Sequence, residues 1–339
     1  MATIKDVAAL AGISTTTVSI IINGRAEEKG ISGATVEKVR KAMAELNYRP
    51  DQNARRLRSL SLRRPLLCFF WPLDYRAFLL GTFITSLTRA LILNAFNAEL
   101  RIENYAPGEL SKQTDSLKNS MYDGIIIGGT NQADLDVLET VTSTSPIVML
   151  NRASKKHHSV SIDNRLIGMQ AASLIRRKGY TECGLIRNTA DYYGMTERTQ
   201  FFMESCGLLG IDIRDEWVVS DTGNAEGGAR AAEKLLENKD LPPVLFCEDD
   251  FMAQGVLVPF HEHGIRIPED MELLAFGMQA DESMDYLIPS ISTLSLPYQE
   301  MANLCIKILQ DVITDKKTER QELTVEPVKK LRKSFSEPA

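Results

Sequence analysis

Two clusters of side chains in this sequence have the types and spacing to act on a partner. Arg49, Arg55, Arg56, Arg58, Arg63 and Arg64 fall within 16 positions that contain one acid, Asp51. Guanidinium groups at that density suit phosphate oxygens and equally suit a solvated basic linker, so charge alone leaves both readings open. Ser14-Thr-Thr-Thr17 sets four hydroxyls in a row before an apolar segment, where the first of them can cap a helix.

Other constellations carry less. Asp123-Gly-Ile-Ile-Ile-Gly-Gly129 lacks the spacing and the lysine of a phosphate loop and reads as a turn. His157-His158 and His261-Glu-His263 have no Cys or further His nearby in sequence, and such pairs are usually solvated loop residues. Cys68, Cys183, Cys206, Cys247 and Cys305 lie at least 23 positions apart, without a Cys-x-x-Cys pair, as reduced and mostly buried thiols do. No nucleophile, base and acid fall together. Catalysis, a metal and a cofactor are therefore not expected.

The elements that must position these residues come from a chain of 339 residues, 44% hydrophobic and 25% charged, which is ordinary for two or three globular domains. The longest apolar stretch, residues 65–73, is about half of the roughly 20 residues a bilayer requires, so it predicts a buried strand and no membrane span. The first residues lack a secretion signal, which predicts a cytoplasmic protein. The net charge of −6 is unevenly shared. Residues 1–64 hold 12 Lys/Arg against 6 Asp/Glu, and the other 275 hold 27 against 39. A polyanion would meet the front of the molecule.

In that front segment Ile4, Val7, Ala8 and Ala11 mark one face of a helix that Gly12 would end. Val18, Ile21 and Ile22 mark a second, and Val36, Val39, Met43 and Leu46 a third. Two helices joined by about three residues have helix-turn-helix geometry, in which the second helix enters the major groove. The same stripes also fit a small core with no further role.

Residues 1–8, Ala11-Gly-Ile-Ser-Thr-Thr-Thr-Val-Ser19, Asn23, Leu46-Asn-Tyr-Arg-Pro50 and Ala54-Arg-Arg-Leu57 resemble the DNA-binding head and hinge of the lactose-repressor (LacI/GalR) family of bacterial transcriptional regulators, and weaker similarity runs to about residue 330. The resemblance implies a head over residues 1–50, a hinge helix and linker over 51–64, and a two-lobed body over 65–339. It places Thr15, Thr16 and Thr17 at base edges and phosphates, and implies DNA contacts from Thr3, Ser14, Ser19, Ile20, Asn23, Tyr48, Asn53, Ala54, Arg55 and Arg58. Ile20 stands where relatives often carry Arg or His, and an apolar side chain there can read a methyl group or nothing. Leu57 matches the leucine that wedges into a base step from the minor groove and kinks the duplex. An isolated six-residue helix is unstable in water, so folding of the hinge on DNA is physically reasonable. The loop over residues 24–33 is longer than its counterpart in a purine-binding member and reads as a plain surface loop, from which Arg25 and Lys29 could reach a flanking phosphate.

Beyond residue 65, apolar runs at 66–70, 99–103, 124–127, 147–150, 183–186, 217–220, 244–247 and 272–276 alternate with helical stretches at 78–94, 166–178, 198–209 and 225–238. This predicts an α/β body of parallel sheets covered by helices. About ten units exceed one sheet, so two lobes are expected, matching the family's periplasmic-binding-protein-like body. Ligands in such folds sit beyond the carboxyl ends of the strands, here the cleft between lobes.

The resemblance sets Asp249 where a member of the family has a ligand-contacting asparagine, Arg198 where an arginine grips the effector, and Asn151 where relatives place an aspartate. Asp250 matches the family's neighbouring aspartate, where a cap on the next helix is at least as apt as a ligand contact. Tyr192 and Gly194 take base-contacting loop positions of a purine-binding member without its residues, and Tyr75 and Phe78 could stack on a sugar or base. Phe276-Gly277-Met278 departs from the family's Gly-Phe-Asp, and the missing carboxylate argues against a purine, with Asp249 as a replacement acceptor.

The sequence thus describes a homodimeric repressor that binds double-stranded operator DNA and answers to a small, sugar-like effector. A cytoplasmic sugar-binding module or enzyme on the same two-lobed fold is the alternative. Leu57→Ala removes the wedge and keeps every charge. It should lower affinity for specific duplex DNA by roughly a few kcal/mol in mobility-shift titrations and leave nonspecific binding nearly unchanged, whereas equal losses would make the hinge a charge carrier only.

Overall fold

The computed structural model describes residues 3–22, 26–46, 64–74, 77–118, 121–189, 193–278 and 281–337. The chain divides into two compact units, Met1–Arg64 and Pro65–Ala339.

The first unit is built on α1 (Ile4–Ala11), α2 (Thr15–Ile22) and α3 (Gly33–Glu45). Helix α1 starts at Thr3, whose hydroxyl accepts from the Asp6 amide while the Asp6 carboxylate accepts from the Thr3 amide at 2.7 Å. These bonds hold Asp6 below the usual carboxylate range. The helix ends at Gly12, whose φ of 65° lets its N–H return to the Ala8 and Ala9 carbonyls. Ser14 caps α2, its Oγ accepting from the Thr17 amide at 3.1 Å. The two axes are bent by 107°, within the helix-turn-helix range. Val7, Ala8, Val18, Val39 and Ala42 form the buried core.

The second unit contains two six-stranded sheets with β1 (Leu66–Pro72), β2 (Glu99–Tyr105), β3 (Gly124–Gly128), β4 (Ile147–Leu150), β5 (His158–Ile162), β6 (Gly184–Asn188), β7 (Val218–Asp221), β8 (Val244–Cys247), β9 (Glu272–Gly277), β10 (Ser292–Ser295), β11 (Glu322–Val325) and β12 (Val328–Lys330). Their orders are β11-β5-β4-β3-β1-β2 and β12-β10-β9-β8-β6-β7. The chain passes between the lobes after β5, β10 and β11. Side chains of β1 alternate as a strand buried on both faces must. Leu67, Phe69 and Trp71 meet α4 (Ala77–Leu93) and α11 (Tyr298–Thr314), while Leu66, Cys68 and Phe70 meet Leu110, Leu117 and Leu138 on the other side, where α5 (Thr114–Lys118) and α6 (Gln132–Thr140) lie. In the second lobe α7 (Asn164–Arg177) and α8 (Tyr193–Leu209) pack together, as do α9 (Ala225–Leu236) and α10 (Asp250–Glu262).

Every predicted strand exists, but sequence reasoning passes over β5, β10, β11 and β12. Ser-Thr-Leu-Ser in β10 is wholly buried although mostly polar, because neighbouring strands on both sides absorb its backbone groups. The sheets are parallel as expected apart from the β10–β12 pair, which is antiparallel. The histidine pair is no solvated loop. His158 lies buried on β5 with Nδ1 accepting from the Gln321 amide at 3.1 Å, and burial lowers its pKa; His157 is held 3.1 Å from the Leu138 carbonyl. Asp123-Gly129 is strand β3 followed by a turn at Gly129, with Asp123 accepting from the Leu66 amide at 2.6 Å.

Helices α7 and α8 approach so closely at Gly168 that a Cβ there would stand 2.5 Å from the Phe202 backbone nitrogen. Gly168→Ala should therefore destabilise the body by about 1–3 kcal/mol, read as a lower urea midpoint; an unchanged midpoint would mean the helix pair yields without strain.

Candidate nucleic-acid and effector sites

On α2, Thr15 and Thr16 are exposed and Ser19 and Ile20 partly so. Thr3 and Ser14 spend their hydroxyls on the helix caps, and Thr17 Oγ1 lies 2.9 Å from Ser14 Oγ. The start of α2 thus leaves Thr15 and Thr16 exposed, while Val18 faces inward. Asn23, Tyr48, Asn53, Ala54, Arg55, Leu57 and Arg58 lie outside the described residues, as do Tyr75 and Tyr192 of the effector set.

In the body, a cavity of about 530 Å³ is lined by Phe78 of α4 and by Asn188, Thr189, Thr222, Gly223, Asn224 and Phe251 of the second lobe. Phe78 and Phe251 meet edge to face across it, with centroids 4.5 Å apart. Behind its wall lies Asp249, wholly buried. Its Oδ1 accepts from the Met252 amide at 2.8 Å, which makes it the N-cap of α10. Oδ2 has no hydrogen-bond partner among the described residues, and a Cβ on Gly223 would come within 2.9 Å of it. Burial pushes the Asp249 carboxyl up to about 6, the neighbouring Glu248 charge adds to the rise, and the Met252 amide and Arg198 oppose it.

Of the two roles open to Asp250, the cap of α10 is taken by Asp249. Asp250 is the first residue of the helix, and its Oδ2 accepts from the Met278 amide at 3.0 Å. Arg198 lies on α8 with its guanidinium 3.8 Å over the Phe276 ring and Nη1 donating to Asn164 Oδ1 at 3.2 Å. Gly194, expected in a loop, sits in the first turn of α8, where a Cβ would be 3.6 Å from Arg198 Nη1 and 3.7 Å from Arg152 Nη1. Asn151 follows β4 with φ 58°, and its Oδ1 accepts from the Ile162 amide at 3.4 Å. Gly277 is closely packed, since a Cβ there would lie 2.1 Å from Ser295 Oγ and force that side chain to turn away.

Of the predicted effector residues, Phe78 lines the cavity and Asp249 lies buried behind Gly223, while Arg198 and Asn151 are not among the lining residues. The cavity adds Asn188, Thr189, Thr222, Asn224 and Phe251, which sequence reasoning missed. Asn188 and Thr189 close β6 and Thr222 follows β7, so polar residues directly after apolar runs were the available signal.

A sequence profile described as bacterial regulatory proteins, lacI family, matches residues 3–51, and one for a periplasmic binding protein-like domain matches residues 159–335. The chain belongs to the LacI family. It is 27% identical to the HTH-type transcriptional repressor PurR of Photobacterium profundum over 99% of both chains, and 28% identical to that of Aliivibrio salmonicida over 98% of this chain and 99% of the relative. A crystal structure of a LacI family transcription regulator from Clostridium acetobutylicum superposes with a TM-score of 0.76 at 28% identity, covering 79% of this chain and all of that one. This LacI-family protein is a DNA-binding transcriptional regulator controlled by a small molecule. No single helix among the described residues is long and apolar enough to cross a membrane.

Asparagine caps helices as well as aspartate does, so Asp249→Asn removes the ionisation and keeps the cap. An acid with a higher pKa in the folded state loses stability as pH climbs from the ordinary carboxylate range to about 6 and stays at the lower level above that. The stability of Asp249→Asn relative to the native protein should therefore rise between pH 4 and 6 and then level off. Urea midpoints at pH 4.5 and 7 test this; a pH-independent difference would mean Asp249 ionises normally.

Proposed function

We propose that this regulator is a homodimeric repressor acting in the cytoplasm, and that it takes a sugar or sugar derivative in the cleft of its body. The supporting observation is the cavity itself. Phe78 and Phe251 supply flat apolar faces, and Asn188, Thr189, Thr222 and Asn224 supply amides and hydroxyls. Asp249, wholly buried behind Gly223, is assigned to the effector set from the resemblance. Apolar rings with convergent neutral donors and acceptors fit the alternating faces and hydroxyls of a carbohydrate. Asn151 and Arg198 complete the effector set, and Tyr75 and Tyr192 are assigned to it from the resemblance.

In this reading residues 1–50 read DNA, residues 51–64 form the hinge and linker, and residues 65–339 sense the effector and dimerise. Thr3, Ser14, Thr15, Thr16, Thr17, Ser19, Ile20, Asn23 and Tyr48 of the head contact DNA, joined by Asn53, Ala54, Arg55, Leu57 and Arg58 of the hinge. Two features favour a dimer of the body. Gly81, Thr85, Thr88 and Ile92 line one exposed face of α4, with the Thr85 and Thr88 hydroxyls turned back onto the Gly81 and Ile84 carbonyls. In the other lobe Val258 and Ile288 are exposed, Ile288 by 93%. Apolar surface of that kind calls for a partner, and a two-fold operator calls for two heads.

Thermal shift of the full-length protein against sugars, sugar phosphates and nucleobases tests the effector class. A member of the sugar class at 100 times its Kd should stabilise the protein by about 2.7 kcal/mol, and Asn224→Ala should reduce that shift. A response to nucleobases alone would overturn the sugar assignment.

A further inference from the structure

The isoleucines of α2 do not share one role. Val18 is fully buried, and Ile21 and Ile22 pack on the core of the head. Ile20 is partly exposed and takes no part in that core. Four residues before it, one turn away on the same face, stands exposed Thr16. The hydroxyl of the next threonine, Thr17, is occupied with Ser14 at 2.9 Å. The face of α2 turned away from the core therefore brings the Ile20 side chain and the Thr16 methyl together as a small apolar patch, edged by the Thr16 hydroxyl and flanked by Thr15 and Ser19.

Such a patch has few ways to gain by entering a major groove. Base edges there are donors and acceptors, and pressing an isoleucine on them strips water without replacing its hydrogen bonds. The one apolar feature of the groove is the C5 methyl of thymine. We propose that Ile20, assisted by the Thr16 methyl, reads a thymine methyl group in each operator half-site. This rests on the assignment of α2 as the helix that enters the groove. It differs from reading by hydrogen bonds in that the preference is carried by a single methyl and by no donor or acceptor of the base.

Duplexes selected by the full-length protein from a randomised library provide the probe. Replacing each conserved dT of the consensus by dU removes only the methyl and keeps the pairing. At one dT per half-site the replacement should weaken binding about fourfold, the effect of burying one methyl-sized group. Ile20→Ala should erase the difference between dT and dU at that position, and Ile20→Val, which keeps branched methyls, should retain it. Circular dichroism and melting of both variants confirm that the head stays folded, as expected for a side chain outside its core. A consensus in which dU equals dT everywhere, a dU penalty that persists in Ile20→Ala, or a consensus without a conserved thymine overturns the proposal and leaves DNA binding standing. A library that yields no consensus overturns sequence reading by α2 altogether.

Discussion

Three consecutive carboxylates, Glu248, Asp249 and Asp250, are buried where β8 turns into α10, at 3%, 0% and 1% exposure. Carboxylates so placed lose several kcal/mol of hydration each, and they persist only where fixed donors replace the water. Each finds its donors on a different element. Glu248 accepts from the Asn188 amide at 2.7 Å and from the Thr199 hydroxyl, joining β8 to the end of β6 and to α8. Asp249 caps α10, and Asp250 holds the Met278 amide beyond β9. The floor of the cleft is registered by these bonds, because moving any one strand end would leave a buried charge without its partner.

The same junction connects the lobes. Met278 is held from one side by Asp250 and from the other by the Tyr298 hydroxyl, which donates to its carbonyl at the start of α11. Burial raises the Tyr298 pKa, so the phenol stays a donor. Its ring packs edge to face on Phe83 of α4 at 5.1 Å. A route of hydrogen bonds and ring contacts thus runs from the carboxylates beside the cavity into the first lobe. Phe78 against Phe251 is a second contact between lobes, one that lines the cavity directly. A ligand that favours one spacing of these contacts favours one arrangement of the lobes, which is the physical content of control by an effector.

Much of this was legible beforehand where local physics decides. Capping by Thr3 and Ser14, the stop at Gly12 and the three apolar stripes of the head follow from neighbouring residues alone. The fully apolar strands β1, β3 and β8 announce themselves because burial on both faces admits nothing else. The polar strands β5 and β10 do not, since their burial is imposed by neighbours distant in sequence. Nor does the tail, where the Ser334 hydroxyl donates to the Leu273 carbonyl and Phe335 is fully buried. Among the cleft residues, Asp249 and Arg198 were reached by resemblance, while Asn188, Thr222 and Phe251 required the fold.

By itself the sequence determined the two-part division of charge, the caps and stripes of the helix-turn-helix and the alternation of strands and helices, because each depends on residues within a turn or a strand of one another. Only the tertiary structure decided which of two adjacent aspartates caps α10 and which holds Met278, how closely Ser295 packs on position 277, and which polar strand ends meet the two phenylalanines. Those outcomes depend on groups tens to hundreds of positions apart, whose distances are set when sheets and lobes close and by nothing local.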